Sequence, residues 1–240
     1  MLTLFLIEKL PDSALIEIDG DEAHHAIKVL RLNVGEEILI SDGAGTWARV
    51  KVENIEKKSF TSTVLERGYQ AERIPKLVVV QALPKSDRVK EAIEILVESG
   101  VDSIIPWEAE RSISKWQEDS LSKWQSAASA ATKQSRRFRT PNIIELSSLS
   151  KLIEVKDSSK VILVMHESAT SRLSEIATKK FAELSEILIV IGPEGGLSEN
   201  ELALLEGAGA HIVGLGPEVF RSAHAGGAAL SAVSALIGRW

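Results

Sequence analysis

The 240-residue chain contains no cysteine and no long apolar run. Without cysteine it can form neither disulfides nor thiolate metal sites, which fits a reducing compartment such as the cytoplasm. Its apolar runs stay below the roughly 18 residues that a membrane-spanning helix needs. The apolar opening, residues 2–7, has no basic lead and no small-residue cleavage site, so we interpret it as a strand and not as a signal peptide. We therefore expect a cytoplasmic protein without a membrane partner.

Familiar motifs for nucleotides, hydrolysis and metals are also missing. No Gly-x-Gly-x-x-Gly follows the first strand, and there is no Gly-x-x-x-x-Gly-Lys-Ser/Thr loop. The lack of a Gly-x-Ser-x-Gly turn leaves an α/β hydrolase as a weak alternative. The histidines are scattered and lack the spacing of metal ligands, so we expect no metal site.

Net charge is −6, which taken alone argues against nucleic-acid binding. The distribution qualifies this, because basic residues are concentrated between positions 111 and 139, where only Glu118 and Asp119 oppose them. Such a patch either binds a polyanion or is a solvated helix face. Its basic members are Arg111, Lys115, Lys123, Lys133, Arg136, Arg137 and Arg139.

Residues 1–70 are predicted to form a small β-barrel domain, because apolar and polar residues alternate through residues 48–52 as in a half-buried strand. A short helix interrupts the strands near residues 21–31. One face of that helix carries apolar side chains, and the other is either an exposed polar face or a phosphate-contacting surface. The apolar face comprises Ala23, Ile27 and Leu30; the other comprises His24, Lys28 and Arg31.

The chain changes character after a polar linker at residues 68–75. Residues 75–240 alternate short, continuously apolar strands with helices, which predicts an α/β domain with a parallel sheet covered on both faces. The last helix is rich in alanine and glycine and suits either a dimer interface or a core position.

Glycine-rich loops end two of these strands. "ILIVIGPEGGLSENE" runs from a buried strand into a loop, and then into a helix that Ser198 and Glu201 begin as a capping box. "HIVGLGPEVFRSAHAGG" repeats the strand, glycine-proline loop and helix. Ligands bind beyond the carboxyl ends of parallel strands, so these loops and the "MHES" segment after a third strand could wall one pocket. The loops offer amides, carbonyls and a carboxylate, which suits an uncharged or cationic group.

These stretches, together with "HHAIKVLR", "QALPKSDRVKEAIEILVESGVDSIIPWEAERS" and "ATKQSRRFRTP", resemble the RsmE family of ribosomal RNA methyltransferases, within the SPOUT superfamily. The resemblance covers nearly the whole chain. It implies a PUA-like barrel followed by a SPOUT α/β trefoil-knot domain that binds S-adenosylmethionine. It also implies a homodimer that methylates N3 of a uridine in 16S rRNA within the assembled 30S subunit.

The resemblance also suggests site residues. Arg221 is the first catalytic candidate, followed by Glu194. His224, which the family does not supply, is a candidate base on chemical grounds alone, because an imidazole can accept a proton near neutral pH. The RNA-binding candidates are Arg111, Gln134, Arg136 and Arg137 in the second domain, and His25, Lys28 and Arg31 in the barrel. The cofactor-binding candidates are Met165, His166, Glu167, Gly192, Pro193, Glu194, Gly195, Gly196, Leu215, Gly216, Val219, Phe220, Arg221 and Ser222.

The chain departs from the family where Arg-Thr-Glu-Thr-Ala is usual. Ser222 keeps the hydroxyl, but Ala223 replaces the glutamate and His224 takes a threonine position. Two alternatives therefore stay open: a SPOUT methyltransferase acting on tRNA or on another rRNA site, and a non-catalytic RNA-binding protein on the same scaffold.

Overall fold

A computed structural model describes residues 2–153 and 157–240, which form two compact units. The first comprises residues 1–72 together with residues 132–140. The second comprises residues 73–131 and 141–240. The basic segment 132–140, which the sequence placed in the second domain, thus belongs to the first unit.

The first unit is built on a curled five-stranded sheet with the order β1-β3-β4-β5-β2. β1 pairs with β3 in parallel, and the other pairs are antiparallel. The predicted alternation in β4 is present, with Ala48, Val50 and Val52 buried in the core. The strands are β1 (Leu4–Leu6), β2 (Leu15–Ile18), β3 (Glu37–Ser41), β4 (Thr46–Ile55) and β5 (Phe60–Tyr69).

The helix of the first unit differs from the prediction. It begins as α1 (Gly20–His24) and continues as a π-helix over His25–Val29. The wider π-turn changes which side chains face the core. Ala23 and Ala26 are fully buried, whereas Leu30, predicted to point inward, is 45% exposed.

Residues 132–140, which we call the strap, are fixed to the first unit along their length. Near the start, Lys133 Nζ lies 2.6 Å from Glu22 Oε1. Near the end, the Phe138 ring stacks on Trp47 with centroids 4.9 Å apart and an interplanar angle of 11°. The backbone N–H of Gly45 also donates to the Phe138 carbonyl at 2.9 Å. These contacts hold the intervening basic residues in a defined place on this unit.

The second unit is built on a seven-stranded sheet with the order β10-β12-β9-β11-β6-β7-β8, and every pair is parallel, as the sequence predicted. Its strands are β6 (Lys76–Ala82), β7 (Ser103–Trp107), β8 (Asn142–Ile143), β9 (Lys160–Met165), β10 (Ser171–Arg172), β11 (Glu186–Ile191) and β12 (His211–Gly214).

Helices occupy the segments between these strands. They are α2 (Val89–Glu98), α3 (Ser120–Ser135), α4 (Leu149–Ile153), α5 (Leu173–Ile176), α6 (Glu199–Gly207) and α7 (Ser222–Leu236), with 3₁₀ turns at Ser86–Arg88 and Lys179–Glu183. No helix in the described ranges has the length and apolar character to cross a membrane.

Both faces of the parallel sheet are covered. Leu77 and Val79 of β6 belong to one apolar cluster, whereas Val78 and Val80 belong to another. In the first cluster, α7 packs against α2. Glycines make this approach possible, since a Cβ on Gly227 would lie only 2.2 Å from Ile95 Cγ2. The small residues of α7 thus serve the core of this unit, and the dimer remains a prediction.

Candidate functional site

Three loops meet at one edge of the parallel sheet. They follow β9, β11 and β12, which are neighbours in the order β12-β9-β11 and end at the same edge because they are parallel. Between the loops lies a cleft of about 290 Å³ with an adjoining recess of about 70 Å³. The cleft is lined by Met165, His166, Glu167, Ile191, Gly192, Pro193, Glu194, Gly196, Leu197, Val219, Phe220, Arg221, Ser222 and Ala225.

Most of the predicted cofactor-binding residues line this cleft, and Leu215 and Gly216 line the recess. Gly195 is the exception: it packs against Arg111, whose Nη1 donates to the Gly195 carbonyl at 3.2 Å. The sequence did not single out Ile191, Leu197 and Ala225. They are apolar residues beside the predicted loop positions, and nothing in an isoleucine, leucine or alanine side chain indicates a binding site.

The loop after β11 is rigid for identifiable reasons. Gly196 has φ +70°, a conformation that suits glycine. Ser198 begins α6 as the N-cap, and the predicted capping box with Glu201 is present. Glu201 is almost fully buried, and its second carboxylate oxygen accepts from the Glu110 N–H at 2.8 Å. One carboxylate thereby joins the helix start to the chain just before Arg111.

Arg221 lies at the mouth of the cleft with an exposed side chain. Within residues 2–153 and 157–240 its guanidinium has no hydrogen bond and no ion pair, so it forms no structural salt bridge there. Glu194 is also exposed and lines the cleft, where its Oε1 accepts from the Lys85 N–H at 3.3 Å.

His224 is absent from the cleft lining. Its Nε2 lies 2.9 Å from Glu91 Oε1, and the other oxygen of Glu91 accepts from Arg88 Nη1 at 2.7 Å. The hydrogen bond from Arg88, followed by that from His224, lowers the pKa of Glu91 from 4.5 to about 2. The sequence gave no sign of Glu91, because its partner is 133 residues away.

The RNA-binding candidates divide between the two units. His25, Lys28, Arg31, Gln134, Arg136 and Arg137 belong to the first unit, and Arg111 belongs to the second.

Two of these residues have an unusual backbone conformation. Arg31 and Arg136 are exposed and each has φ +55°, in the left-handed region that side chains other than glycine rarely adopt. Non-glycine residues in this region are often functional. As for metals, the structure places no group of three or more histidine or acidic side chains together in its described part.

Two family models match the chain. The one described as "RNA methyltransferase domain" matches residues 71–234, and the one described as "RNA methyltransferase PUA domain" matches residues 18–65. Ribosomal RNA small subunit methyltransferase E of Mycobacterium tuberculosis is 39% identical over 99% of this chain and 93% of its own length. The Bacillus subtilis protein of the same name is 30% identical over 95% of this chain and 92% of its own.

A solved structure has the same fold. The crystal structure of ribosomal RNA small subunit methyltransferase E from Neisseria gonorrhoeae, bound to S-adenosyl methionine, aligns with a TM-score of 0.88 and 24% identity, covering 98% of both chains. The predicted SPOUT-type α/β fold with a PUA-like unit is confirmed.

Proposed function

Because the chain belongs to the ribosomal RNA small subunit methyltransferase E family, we propose that it methylates N3 of a uridine in 16S rRNA, using S-adenosylmethionine. The substrate is the assembled 30S subunit, and the enzyme acts in the cytoplasm as a homodimer. The observation that carries the proposal is the cleft at the sheet edge, which combines a glycine-lined wall with an exposed arginine, Arg221.

The chemistry of the cleft lining fits S-adenosylmethionine. Backbone groups of Gly192 and Gly196 form one wall, and a Cβ on Gly192 would lie 3.1 Å from Leu197. Met165, Val219 and Phe220 offer apolar surface for an adenine ring. The carboxylates of Glu167 and Glu194 attract a positively charged group. They would repel a triphosphate, which a loop with a lysine would attract.

When bound, S-adenosylmethionine supplies an electrophilic methyl group. The protein must then make a poor nucleophile reactive, since uracil N3 carries a proton. As that proton leaves, negative charge spreads to the neighbouring carbonyl oxygens. The exposed guanidinium of Arg221 can donate to such an oxygen and stabilise the charge. Arg221 is therefore the proposed catalytic residue, and Glu194 is proposed to orient the cofactor.

RNA binding is proposed to use polar and basic residues of the first unit. His25, Lys28 and Arg31 follow α1, while Gln134, Arg136 and Arg137 lie on the strap. Arg111 is proposed to contact RNA beside the glycine loop that it supports. The domain limits 1–70 and 75–240 remain proposals, with the strap counted in the first unit.

Two measurements test the function. Mass spectrometry of 16S rRNA nucleosides from a deletion strain should show the loss of 3-methyluridine, and a plasmid copy should restore it. Unchanged 3-methyluridine would contradict the proposed target and favour tRNA or another rRNA site. Calorimetry with S-adenosylmethionine should show micromolar binding, whereas absence of binding would favour the non-catalytic alternative.

A further inference from the structure

One polar side chain lies deep inside the second unit, just below the cleft. Gln81 is 1% exposed and belongs to β6, between Ile191 of β11 and Pro106 of β7. Burying an amide among apolar residues is unfavourable unless hydrogen bonds replace those lost from water. A leucine at this position would avoid the free-energy cost of burying an amide. The contacts of the Gln81 amide therefore indicate why a glutamine is present.

The amide begins a chain of hydrogen bonds that leads to the cleft. Gln81 Nε2 donates to the Ala82 carbonyl at 3.0 Å and to Ser222 Oγ at 3.3 Å. Ser222 Oγ in turn donates to the Gly192 carbonyl at 2.7 Å. These hydrogen bonds thus run from strand β6, through the first residue of α7, to the first residue of the glycine-rich loop.

Space for the amide comes from a glycine one turn further along α7. A Cβ on Gly226 would lie 3.3 Å from Gln81 Oε1 and 2.7 Å from Leu96 Cδ2. The helix can therefore lie close enough for the Ser222 hydroxyl to reach both the amide and the loop.

These bonds join two walls of the cleft. Gly192 and Ser222 both line the cleft. Ser222 directly follows Arg221 in the chain, and the Arg221 side chain is exposed. Within the described residues, the Ser222 hydroxyl is the side-chain group that hydrogen-bonds the start of α7 to the loop after β11. Small displacements of a reacting group cost rate steeply, so this link bears on catalysis.

We propose that Gln81 is a positioning residue, which holds Ser222 and thereby sets the placement of Arg221 relative to the glycine-rich loop. It touches neither cofactor nor substrate and acts through Ser222 alone. This inference rests on the proposed function. It also predicts how mobile the loops are, and that mobility can be measured without methyltransferase activity.

A double-mutant cycle tests the proposal. Gln81→Leu and Ser222→Ala should each lower kcat by about tenfold to a hundredfold, with little change in KM for the 30S substrate. The double variant should fall no further than the worse single variant, since either change breaks the same link. Ser234→Ala is the matched control: Ser234 is another buried serine of α7, and its hydroxyl has no hydrogen-bond partner among the described residues. It should retain the wild-type rate.

Hydrogen exchange supplies a second readout on the protein without cofactor or RNA. Amides of residues 215–221 should exchange faster in Gln81→Leu and Ser222→Ala than in the wild type or Ser234→Ala. Faster exchange would support the proposal even if the wild type methylated no RNA, in which case only the proposed function fails. Multiplicative effects on kcat, or unchanged exchange in both variants, would overturn it. If Gln81→Leu does not fold, Gln81→Met takes its place in both measurements.

Discussion

Arg221 is the N-cap of α7, yet its side chain makes no capping hydrogen bond. Its replacement should therefore leave the helix intact and affect chemistry. We predict that Arg221→Ala lowers kcat by about a hundredfold or more, as loss of a charge-stabilising donor does, and leaves the Kd for S-adenosylmethionine nearly unchanged. Arg221→Lys, which keeps the charge, should retain part of the rate. A defect confined to cofactor affinity would show that the role is misassigned.

The left-handed conformation of Arg31 and Arg136 costs conformational energy that glycine would not. We predict that Arg31→Gly and Arg136→Gly leave the free energy of unfolding unchanged or raise it by up to about 1 kcal/mol. RNA affinity should nevertheless fall in both variants.

The salt dependence of binding distinguishes a phosphate contact from an indirect effect. Each substitution should reduce the slope of log K against log salt by about 1. An unaltered slope in both variants would place the RNA surface elsewhere.

The Arg88, Glu91 and His224 cluster makes a prediction about pH. Because Arg88 and His224 hold the folded pKa of Glu91 near 2, below its usual 4.5, this carboxylate stabilises the fold above pH 4.5. That contribution is lost as the pH falls from 4.5 towards 2. In a carboxyl NMR titration, Arg88→Met should raise the midpoint of Glu91. An unmoved midpoint would mean that Arg88 is not the main cause.

At the scale of elements, the close packing of α7 on α2 depends on Gly227. We predict that Gly227→Ala lowers the free energy of unfolding by roughly 1–3 kcal/mol, because the new methyl group would collide with Ile95. Gly207→Ala in α6 is the control, since open space surrounds that position and alanine favours a helix by about 1 kcal/mol. In chemical denaturation, the midpoint of Gly227→Ala should be lower than that of the wild type, and the midpoint of Gly207→Ala should be higher. Equal shifts would contradict the tight packing.

The sequence was most informative about elements whose pattern is local. Continuous apolar runs predicted the parallel strands, and the residues after them predicted the loops at the cleft. It was wrong about Leu30, because periodicity assumes an α-helix and the chain forms a π-turn there. The roles of the site residues remain predictions.

At the scale of the whole molecule, the strap clusters with the first unit, whereas the sequence pattern places it in the second domain. Its attachments join residues far apart in the chain, such as Ser41 and Phe138, 97 positions apart. Such pairs leave no periodic trace in the sequence. The same limit hid the partnership of Glu91 with His224 and of Gln81 with Ser222.

Membership of the strap in the first unit constrains how the chain is made. The amino-terminal β structure emerges from the ribosome first, but it cannot be completed until residue 140 has been synthesised and has left the exit tunnel. Until then the Trp47 ring lacks its stacking partner Phe138. A fragment that ends at residue 72 consequently lacks part of the first unit and cannot be transferred intact to another enzyme. The missing part, residues 132–140, lies in sequence between the two segments of the second unit.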